Sequence, residues 1–145
     1  MALIRRTGLQ DQVRLGFDIG TSLKRKFHPP KEKPLCSSEC ETCMSSTRPN
    51  QCMTKNVIYK IICQKCNKIY IGETKRMVGR RIKEHHSDDN SAVKQHMTEE
   101  HQGEGKIRWE ILHRNLHHER KRLIMESKYI HGIPTANLIN KDFLL

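Results

Sequence analysis

The sequence predicts a small α+β domain, in which helices flank a three-stranded antiparallel sheet, with an irregular basic arm at the N-terminus. Two β-branched and aromatic runs, VIYKIIC and KIYIG, are separated by QKCN, which is typical of an antiparallel hairpin. A third run, IRWEILH, alternates as a half-buried strand does. The chain has 145 residues, the length of one compact domain.

The N-terminal third lacks the periodicity of helices and strands. Residues 1–35 are basic and contain prolines near their end, which favours an extended linker or arm. Residues 36–55 contain four cysteines among Ser, Thr, Pro and Asn, so a metal or disulfides would have to shape this segment. We expect residues 56–145 to form the folded domain that contains the sheet and its helices.

Three helices are predicted around the strands. Thr74 can cap a helix that begins KRMVGRRIKEHH, and Ser91 can cap a shorter one through AVKQHMTEEH. The last helix, Glu119 to His131, ends before Gly132. Its spacing predicts one packed side made of Leu123, Ile124, Ser127 and Ile130.

The composition favours a polyanionic partner. The chain has 27 Lys and Arg against 16 Asp and Glu, a net charge of +11 and a pI near 9.6, so nucleic acid is the leading partner. No apolar run approaches a membrane span, and we expect no membrane partner. The N-terminus lacks the apolar segment of a secretory signal, so we expect an intracellular protein, in which clustered cysteines bind metal more often than they form disulfides.

Two tyrosines lie on the strands of the predicted hairpin. Antiparallel pairing would bring the phenols of Tyr59 and Tyr70 to one end of the sheet. They could be packing residues alone. Gly72 favours a functional interpretation, because a strand glycine often marks the close approach of another group.

Charged residues of two helices could serve a phosphate site. Arg81 and His85 are four residues apart and share a helix face, which suits an anionic phosphate, although a solvated basic face has the same pattern. Glu126 is the one acid in RKRLIMESKYIH. It could neutralise its basic neighbours or hold a hard divalent cation.

Taken in order, these residues resemble the GIY-YIG nuclease domain. The resemblance is carried by VIY (57–59), YIG (70–72), Arg81 with His85, Glu126, and PTAN ending at Asn137. Within that family, the chain looks most similar to the endonuclease module of Penelope-like retroelements, with its upstream cysteines. The resemblance covers about residues 36–142.

The resemblance implies a role for each matching residue. Tyr59 would be the general base, or position the water, for attack on a DNA phosphodiester, and Tyr70 would hydrogen-bond beside it. Arg81 would stabilise the charge of the phosphorane, and His85 would assist proton movement or contact the phosphate. Glu126 would bind one Mg²⁺ or Mn²⁺. Because a phenol has an ordinary pKa near 10, nearby cations would have to share the work.

Three positions depart from the family pattern. The first glycine of the motif is Val57 here. Arg80 is an alternative to Arg81, although Arg81 keeps the four-residue step to the histidine. Asn137, the residue implied as catalytic, has a rival in Asn140.

Two groups of metal ligands are predicted. A C-x2-C and a later H-x4-H have a spacing compatible with a structural zinc site, formed by Cys63, Cys66, His96 and His101. Without the resemblance, the cysteine pair and the histidine pair could instead be two unrelated structural features. A second zinc site is predicted at Cys36, Cys40, Cys43 and Cys52, with His28 as a less favoured ligand. These four could instead be free thiols or a site completed by another chain.

The leading hypothesis is a zinc-stabilised, metal-dependent DNA endonuclease with a nuclear location. As a retroelement module it would nick target DNA and leave a 3′ hydroxyl for a reverse transcriptase domain of the parent polyprotein, which these residues do not contain. An alternative is a catalytically inactive, zinc-dependent nucleic-acid-binding module. A third, a protein-interaction zinc module, explains the cysteines but neither the charge nor the ordered set of residues.

Overall fold

The structure is a computed structural model that describes Cys36 and residues 39–140. The predicted arm at 1–35 lies outside the described residues. No helix within the described part has both the length and the apolar character needed to cross a membrane. The elements, in chain order, are α1 (Glu41–Met44), β1 (Val57–Cys63), β2 (Ile69–Thr74), α2 (Val78–Ser87), α3 (Ala92–His101), β3 (Ile107–His113), α4 (Glu119–His131) and a 3₁₀ turn (Thr135–Asn137).

The three strands form one antiparallel sheet with β1 in the centre, in the order β2-β1-β3. In the hairpin, Tyr59 lies opposite Gly72 and Ile61 lies opposite Tyr70, while Ile61 also faces Trp109 of β3. Helices pack on the sheet, so the predicted α+β class with a three-stranded antiparallel sheet is confirmed.

Alternation along β1 supplies two apolar clusters, one on each face of the sheet. The larger cluster joins odd-numbered residues of β1 to α2, α3 and β3, and contains Val57, Tyr59, Ile61, Cys63, Val78, Ile82, Val93, Met97, Ile107 and Trp109. The smaller cluster, on the other face, places Ile58 and Ile71 against Ile130 of α4. The two-residue period of a strand therefore decides which helices each side chain meets.

The cysteine-rich segment packs on this domain through backbone hydrogen bonds. The indole Nε1 of Trp109 donates to the Thr42 carbonyl at 2.7 Å, and the backbone of Trp109 pairs with Ser45 and Thr47 at 3.0 Å each. The Gly79 N–H, at the start of α2, donates to the Cys52 carbonyl at 2.7 Å. The segment therefore contacts both the free edge of β3 and the start of α2.

The start of α2 differs from the prediction. The helix begins at Val78 rather than directly after Thr74, whose hydroxyl instead accepts a hydrogen bond from the Arg76 N–H at 3.1 Å. The first-turn N–H groups of α2 are bound by the carbonyls of Thr54 and Cys52. Backbone from the cysteine-rich segment thus takes the place of the predicted side-chain cap.

The bounds of α4 agree with the prediction, but its packed side was predicted wrongly. Ile130 is buried as expected, whereas Leu123 and Ile124 are 50% and 60% exposed. Arg122 is buried instead, because its guanidinium bonds the Glu73 carboxylate at 2.6 Å and the Leu116 carbonyl at 2.9 Å. These partners stabilise the buried charge of Arg122, whereas the apolar periodicity of the helix predicts that this residue is exposed.

Candidate active site

Five of the candidate site residues, counting Asn140, line one cleft. It has a volume of about 360 Å³ and lies at the end of the sheet where β2, α2, the start of α3 and α4 meet. Among its lining residues are Tyr70, Arg81, His85, Glu126 and Asn140. Segments far apart in the chain therefore converge on a concave, largely polar surface.

Helix α2 contributes Arg81 and His85, whose four-residue step directs both side chains to the cleft. The Arg81 Nη1 donates to Glu84 Oε2 at 3.1 Å, and the Glu84 carboxylate also receives both Nη groups of Arg76 at 2.7 and 2.8 Å. A guanidinium keeps its charge at all physiological pH values. The cleft therefore contains a cation, Arg81, and an incoming anion could take the place of Glu84 as its partner. Arg80, the alternative register, is exposed and absent from the lining.

Tyr59 is fully buried, and its hydroxyl lies 2.8 Å from Nε2 of His85. The space for this hydroxyl depends on Gly72, because a Cβ at that position would lie 2.4 Å from the Tyr59 hydroxyl oxygen. Such a distance excludes any side chain without movement of the tyrosine. Gly72 is therefore required by the close approach of a neighbouring ring, as the sequence suggested.

Both partners of this hydrogen bond are neutral at neutral pH. Burial raises the pKa of Tyr59 well above 10, and the Tyr70 phenol adds to this, while the charge of Arg81 opposes it. Burial and then the Arg81 charge lower the pKa of His85 to about 3. Burial outweighs the guanidinium at Tyr59 and acts together with it at His85, so the pair is a phenol and an uncharged imidazole.

Tyr70 forms part of the cleft wall in front of this pair. Its ring centroid lies 6.4 Å from that of Tyr59 and 4.8 Å from that of His85, in an edge-on arrangement with the histidine. Tyr70 lines the cleft, but Tyr59 does not. The antiparallel hairpin thus brings the phenols together as predicted, one at the surface of the cleft and one behind it.

Glu126 projects from α4 into the same cleft and is partly buried. Burial and the negative charge of Glu73 raise the pKa of Glu126 to about 7, against the effects of the Glu73 N–H and of Arg81. Glu73 is already paired with Arg122 at 2.6 Å, so it is the charged form of Glu126 that a bound cation would stabilise. This donor set suits Mg²⁺ or Mn²⁺, which take one or two carboxylates and complete their shell with water and phosphate.

The two candidate asparagines lie in different places. Asn137 lies in the 3₁₀ turn, exposed and outside the cleft lining, whereas Asn140 is buried and lines the cleft. The Asn140 amide accepts from the Ile71 N–H at 2.9 Å and donates to the Ile71 carbonyl at 2.7 Å. After the 3₁₀ turn the chain runs parallel to β2, which brings Asn140 rather than Asn137 beside Ile71.

The first predicted ligand group comes together at the hairpin turn and at α3. Cys63, Cys66, His96 and His101 place their ligand atoms within 4.8 Å of one another. Cys66 Sγ lies 3.3 Å from His96 Nε2 and 3.4 Å from His101 Nε2. These distances approach the roughly 3.5 Å edge of a tetrahedron around zinc with ordinary Zn–S and Zn–N bond lengths. The group could hold a metal ion.

The outer surroundings of this group also suit a metal. The second ring nitrogen of His96, Nδ1, lies 3.3 Å from the Glu100 carboxylate, which in turn accepts from Lys68 Nζ at 2.7 Å. A carboxylate on the far nitrogen of a histidine fixes the tautomer that presents Nε2 to a metal.

The second predicted ligand group lies beside the start of α2. Cys36, Cys40, Cys43 and Cys52 also have their sulfur atoms within 4.8 Å of one another, including Cys36–Cys43 at 3.4 Å and Cys40–Cys52 at 3.9 Å. Four sulfurs at such distances could hold a tetrahedral ion. The alternative ligand, His28, lies outside the described residues.

The sequence model of the GIY-YIG catalytic domain matches residues 55–134, which contain both tyrosines, Arg81, His85 and Glu126. The chain belongs to the GIY-YIG family. This membership, together with the shared cleft, supports a nuclease function and implies DNA as the substrate. Neither the curated proteins nor the solved structures contain a match to this chain.

Sequence reasoning missed three polar residues of this GIY-YIG domain. Glu84 holds Arg81, and Glu73 lies beside Glu126 and binds Arg122. Ser91, interpreted as a helix cap, bonds His85. The step of three from Arg81 to Glu84 was a visible signal for the first. The other two contacts depend on tertiary packing and had no local signal.

Proposed function

We propose that this GIY-YIG domain is a divalent-metal-dependent endonuclease that hydrolyses phosphodiester bonds of DNA. The observation that carries the proposal is the 2.8 Å hydrogen bond between Tyr59 and His85, placed directly behind a cleft that also presents Arg81 and Glu126. Together they offer a proton acceptor, a fixed positive charge and a metal ligand, the three parts that hydrolysis of a phosphodiester needs.

The proposed proton path starts at Tyr59. Because its pKa lies well above 10, the phenol holds its proton at neutral pH and cannot act as a ready-made base. In the free protein, burial and the Arg81 charge keep His85 neutral, and the negative charge of a bound phosphate would offset that of Arg81 and let the imidazole accept a proton at Nε2. As Tyr59 takes a proton from the attacking water, it would pass its own proton to His85.

Arg81 has two roles in this proposal. In the structure it donates to Glu84 at 3.1 Å, and its positive charge acts on Tyr59, whose pKa it lowers against the larger effect of burial. A phosphate in the cleft would draw the guanidinium towards itself. The positive charge would then lie beside the oxygens of the pentavalent phosphorane, and the Tyr59 hydroxyl would be uncovered. The burial of Tyr59 in the free protein is then a resting arrangement that substrate changes.

Glu126 is the residue proposed to hold Mg²⁺ or Mn²⁺. When bound, the metal would act as a Lewis acid on the phosphate oxygens and stabilise the leaving group. Tyr70 would hydrogen-bond to the substrate at the cleft wall. Asn140 would keep β2 and the cleft edge in place through its two bonds to Ile71.

We further propose that both cysteine-containing groups bind structural zinc. Each offers four ligands with no position left for substrate, which is the pattern of structural rather than catalytic zinc. The group at Cys63 ties the hairpin to α3, and the group at Cys52 ties the segment before β1 to α2. Between them they would fix the two sides of the cleft.

The biological setting is proposed from the resemblance to the endonuclease module of Penelope-like retroelements. The domain would nick target DNA in the nucleus and leave a 3′ hydroxyl, and a reverse transcriptase domain of the parent polyprotein would extend it. Two cysteine-containing ligand groups around the GIY-YIG residues support this assignment.

The deciding experiment is cleavage of supercoiled plasmid by zinc-loaded protein with Mg²⁺ or Mn²⁺, comparing wild type with Glu126→Ala. Glu119→Ala is the matched control, because Glu119 is an exposed acid on the same helix. We expect nicked or linear DNA from the wild type and the control, and a loss of at least about 100-fold from Glu126→Ala.

Two other outcomes would redirect the proposal. If wild type binds DNA without cutting it, the inactive nucleic-acid-binding module takes its place. If Glu126→Ala cuts as well as Glu119→Ala, the metal is held elsewhere and the assignment of Glu126 is wrong.

A further inference from the structure

Ser91 occupies the position of a helix cap without acting as one. It is the N-cap residue of α3, but its hydroxyl makes no bond to the N–H groups of the first turn. Instead, Ser91 Oγ lies 2.8 Å from Nδ1 of His85. A serine at this position ordinarily stabilises its helix through the side-chain bond. Here the hydroxyl is used on the histidine of the cleft.

Each ring nitrogen of His85 therefore has one partner within the protein. Nδ1 faces Ser91, Nε2 faces the Tyr59 hydroxyl, also at 2.8 Å, and the side chain is 2% exposed. A neutral imidazole carries one donor and one acceptor nitrogen. The hydrogen bonds must then run in a single direction, from tyrosine to serine or from serine to tyrosine.

Burial decides the direction. The Tyr59 side chain is fully buried, so its hydroxyl proton needs an acceptor inside the protein, and His85 Nε2 lies within reach at 2.8 Å. Ser91 is partly exposed and lines the cleft, so its hydroxyl can direct its own proton to water. The proton of the imidazole is then on Nδ1, where the Ser91 oxygen accepts it.

We propose that Ser91 is a positioning residue, which accepts the Nδ1–H of His85 and so keeps Nε2 free to take the proton of Tyr59. The inference rests on the proposed function, because it assigns Ser91 to the proton path of the same site. The logic is that of a hydrolase triad, where a third residue holds the histidine in the productive tautomer and the wrong tautomer abolishes most of the activity. A neutral hydroxyl holds the ring less strongly than a carboxylate, so a smaller effect is expected.

The test compares Ser91→Ala with Ser91→Thr, which retains a hydroxyl at the same carbon. Ser87→Ala is the matched control, because Ser87 is exposed on α2 and its hydroxyl bonds backbone carbonyls of its own helix. Two readouts are needed: kcat and KM for plasmid nicking, and the tautomer of His85 from ¹⁵N chemical shifts of its ring nitrogens.

We expect Ser91→Ala to lower kcat by about 10- to 100-fold with KM unchanged, and to move the ring proton of His85 from Nδ1 to Nε2. Ser91→Thr and Ser87→Ala should resemble wild type in both measurements. A merely structural role for Ser91 would not move the tautomer.

The inference is overturned if His85 keeps its Nδ1 proton in Ser91→Ala, or if wild type already carries the proton on Nε2. It is equally overturned if the tautomer moves while kcat does not. Absence of cleavage by wild type would remove the proposed function and, with it, the catalytic part of this inference, while the chemical shifts would still decide which nitrogen Ser91 binds.

Discussion

Either of the two neighbouring tyrosines could be the base of this nuclease, and the two differ in how deeply they are buried. Tyr59 is fully buried and bonded to His85, whereas Tyr70 is partly buried and forms the cleft wall. Direct access to water favours Tyr70, but a base also needs somewhere to send its proton, and the Tyr59 hydroxyl is the one bonded to His85 Nε2. We give more weight to the proton acceptor, since a side-chain movement can supply access.

Removing one hydroxyl at a time tests this assignment. Tyr59→Phe should lower the rate of single-turnover cleavage by about 10²- to 10⁴-fold, because general base catalysis contributes that much. Tyr70→Phe, the matched change on the neighbouring strand, should cost less than the Tyr59 change. A larger loss for Tyr70→Phe would transfer the role of base to that residue.

The same pair of variants needs a check on folding. Tyr59→Phe leaves the buried His85 Nε2 without its partner, which should lower the free energy of unfolding by about 1 to 3 kcal/mol. Urea unfolding will show whether the variant remains folded under assay conditions. DNA affinity should stay the same, because the Tyr59 hydroxyl makes no contact with the cleft surface.

At the scale of elements, the position of α2 depends on the cysteine-rich segment. The helix carries Arg81 and His85, and its first N–H groups bond carbonyls of that segment, including that of Cys52. A Cβ on Gly79 would lie 2.6 Å from the Cys52 Cβ, so helix and segment are in direct contact. Loss of the four-cysteine group should therefore disturb a helix that supplies two residues of the cleft.

Zinc content and the fluorescence of Trp109 test this link. Wild type should bind about two zinc ions, and Cys43→Ser and Cys66→Ser should each lose about one. Cys43→Ser should also shift the emission of Trp109 to the red, because the backbone of the cysteine-rich segment covers this indole, the single tryptophan of the chain. The cleavage rate should fall with it.

Cys66→Ser is the comparison, since its group lies at the hairpin turn rather than at α2. Zinc content can be measured by atomic emission on purified protein. One zinc ion in wild type, unaffected by Cys43→Ser, would mean that the four cysteines are free thiols and that backbone bonds alone hold the start of α2.

Local patterns predicted some elements and residues of the site, and tertiary contacts determined the rest. The hairpin and the pair Arg81 and His85 follow from spacing, because a strand period and one helical turn fix which side chains are neighbours. Asn140 could not be chosen over Asn137 in this way, since its bonds reach Ile71, 69 residues away. The prediction of the packed side of α4 failed for the same reason, because Arg122 is buried through hydrogen bonds to partners outside the helix.

At the scale of the whole molecule, the excess of positive charge exceeds what the cleft uses. Arg81 is one cation at the active site, yet the chain has a net charge of +11. Several basic residues lie within residues 1–35, for which the sequence predicts an arm, including Lys24, Arg25 and Lys26. Charges outside the cleft can add affinity through phosphate contacts without choosing a sequence.

The dependence of DNA affinity on salt measures this contribution. Each phosphate contact releases counterions and adds about −0.9 to the slope of log K against log salt concentration on duplex DNA. Replacing Lys24, Arg25 and Lys26 by Gln should make the slope shallower by up to about 2.7, if all three contact phosphates. Cleavage at saturating DNA should not change, because Arg81 and Glu126 remain. The charge-preserving replacement of both lysines by Arg should keep the original slope, which separates charge from side-chain identity. An unaltered slope in the Gln variant would show that Lys24, Arg25 and Lys26 make no phosphate contacts, and that other basic residues of the chain supply the affinity.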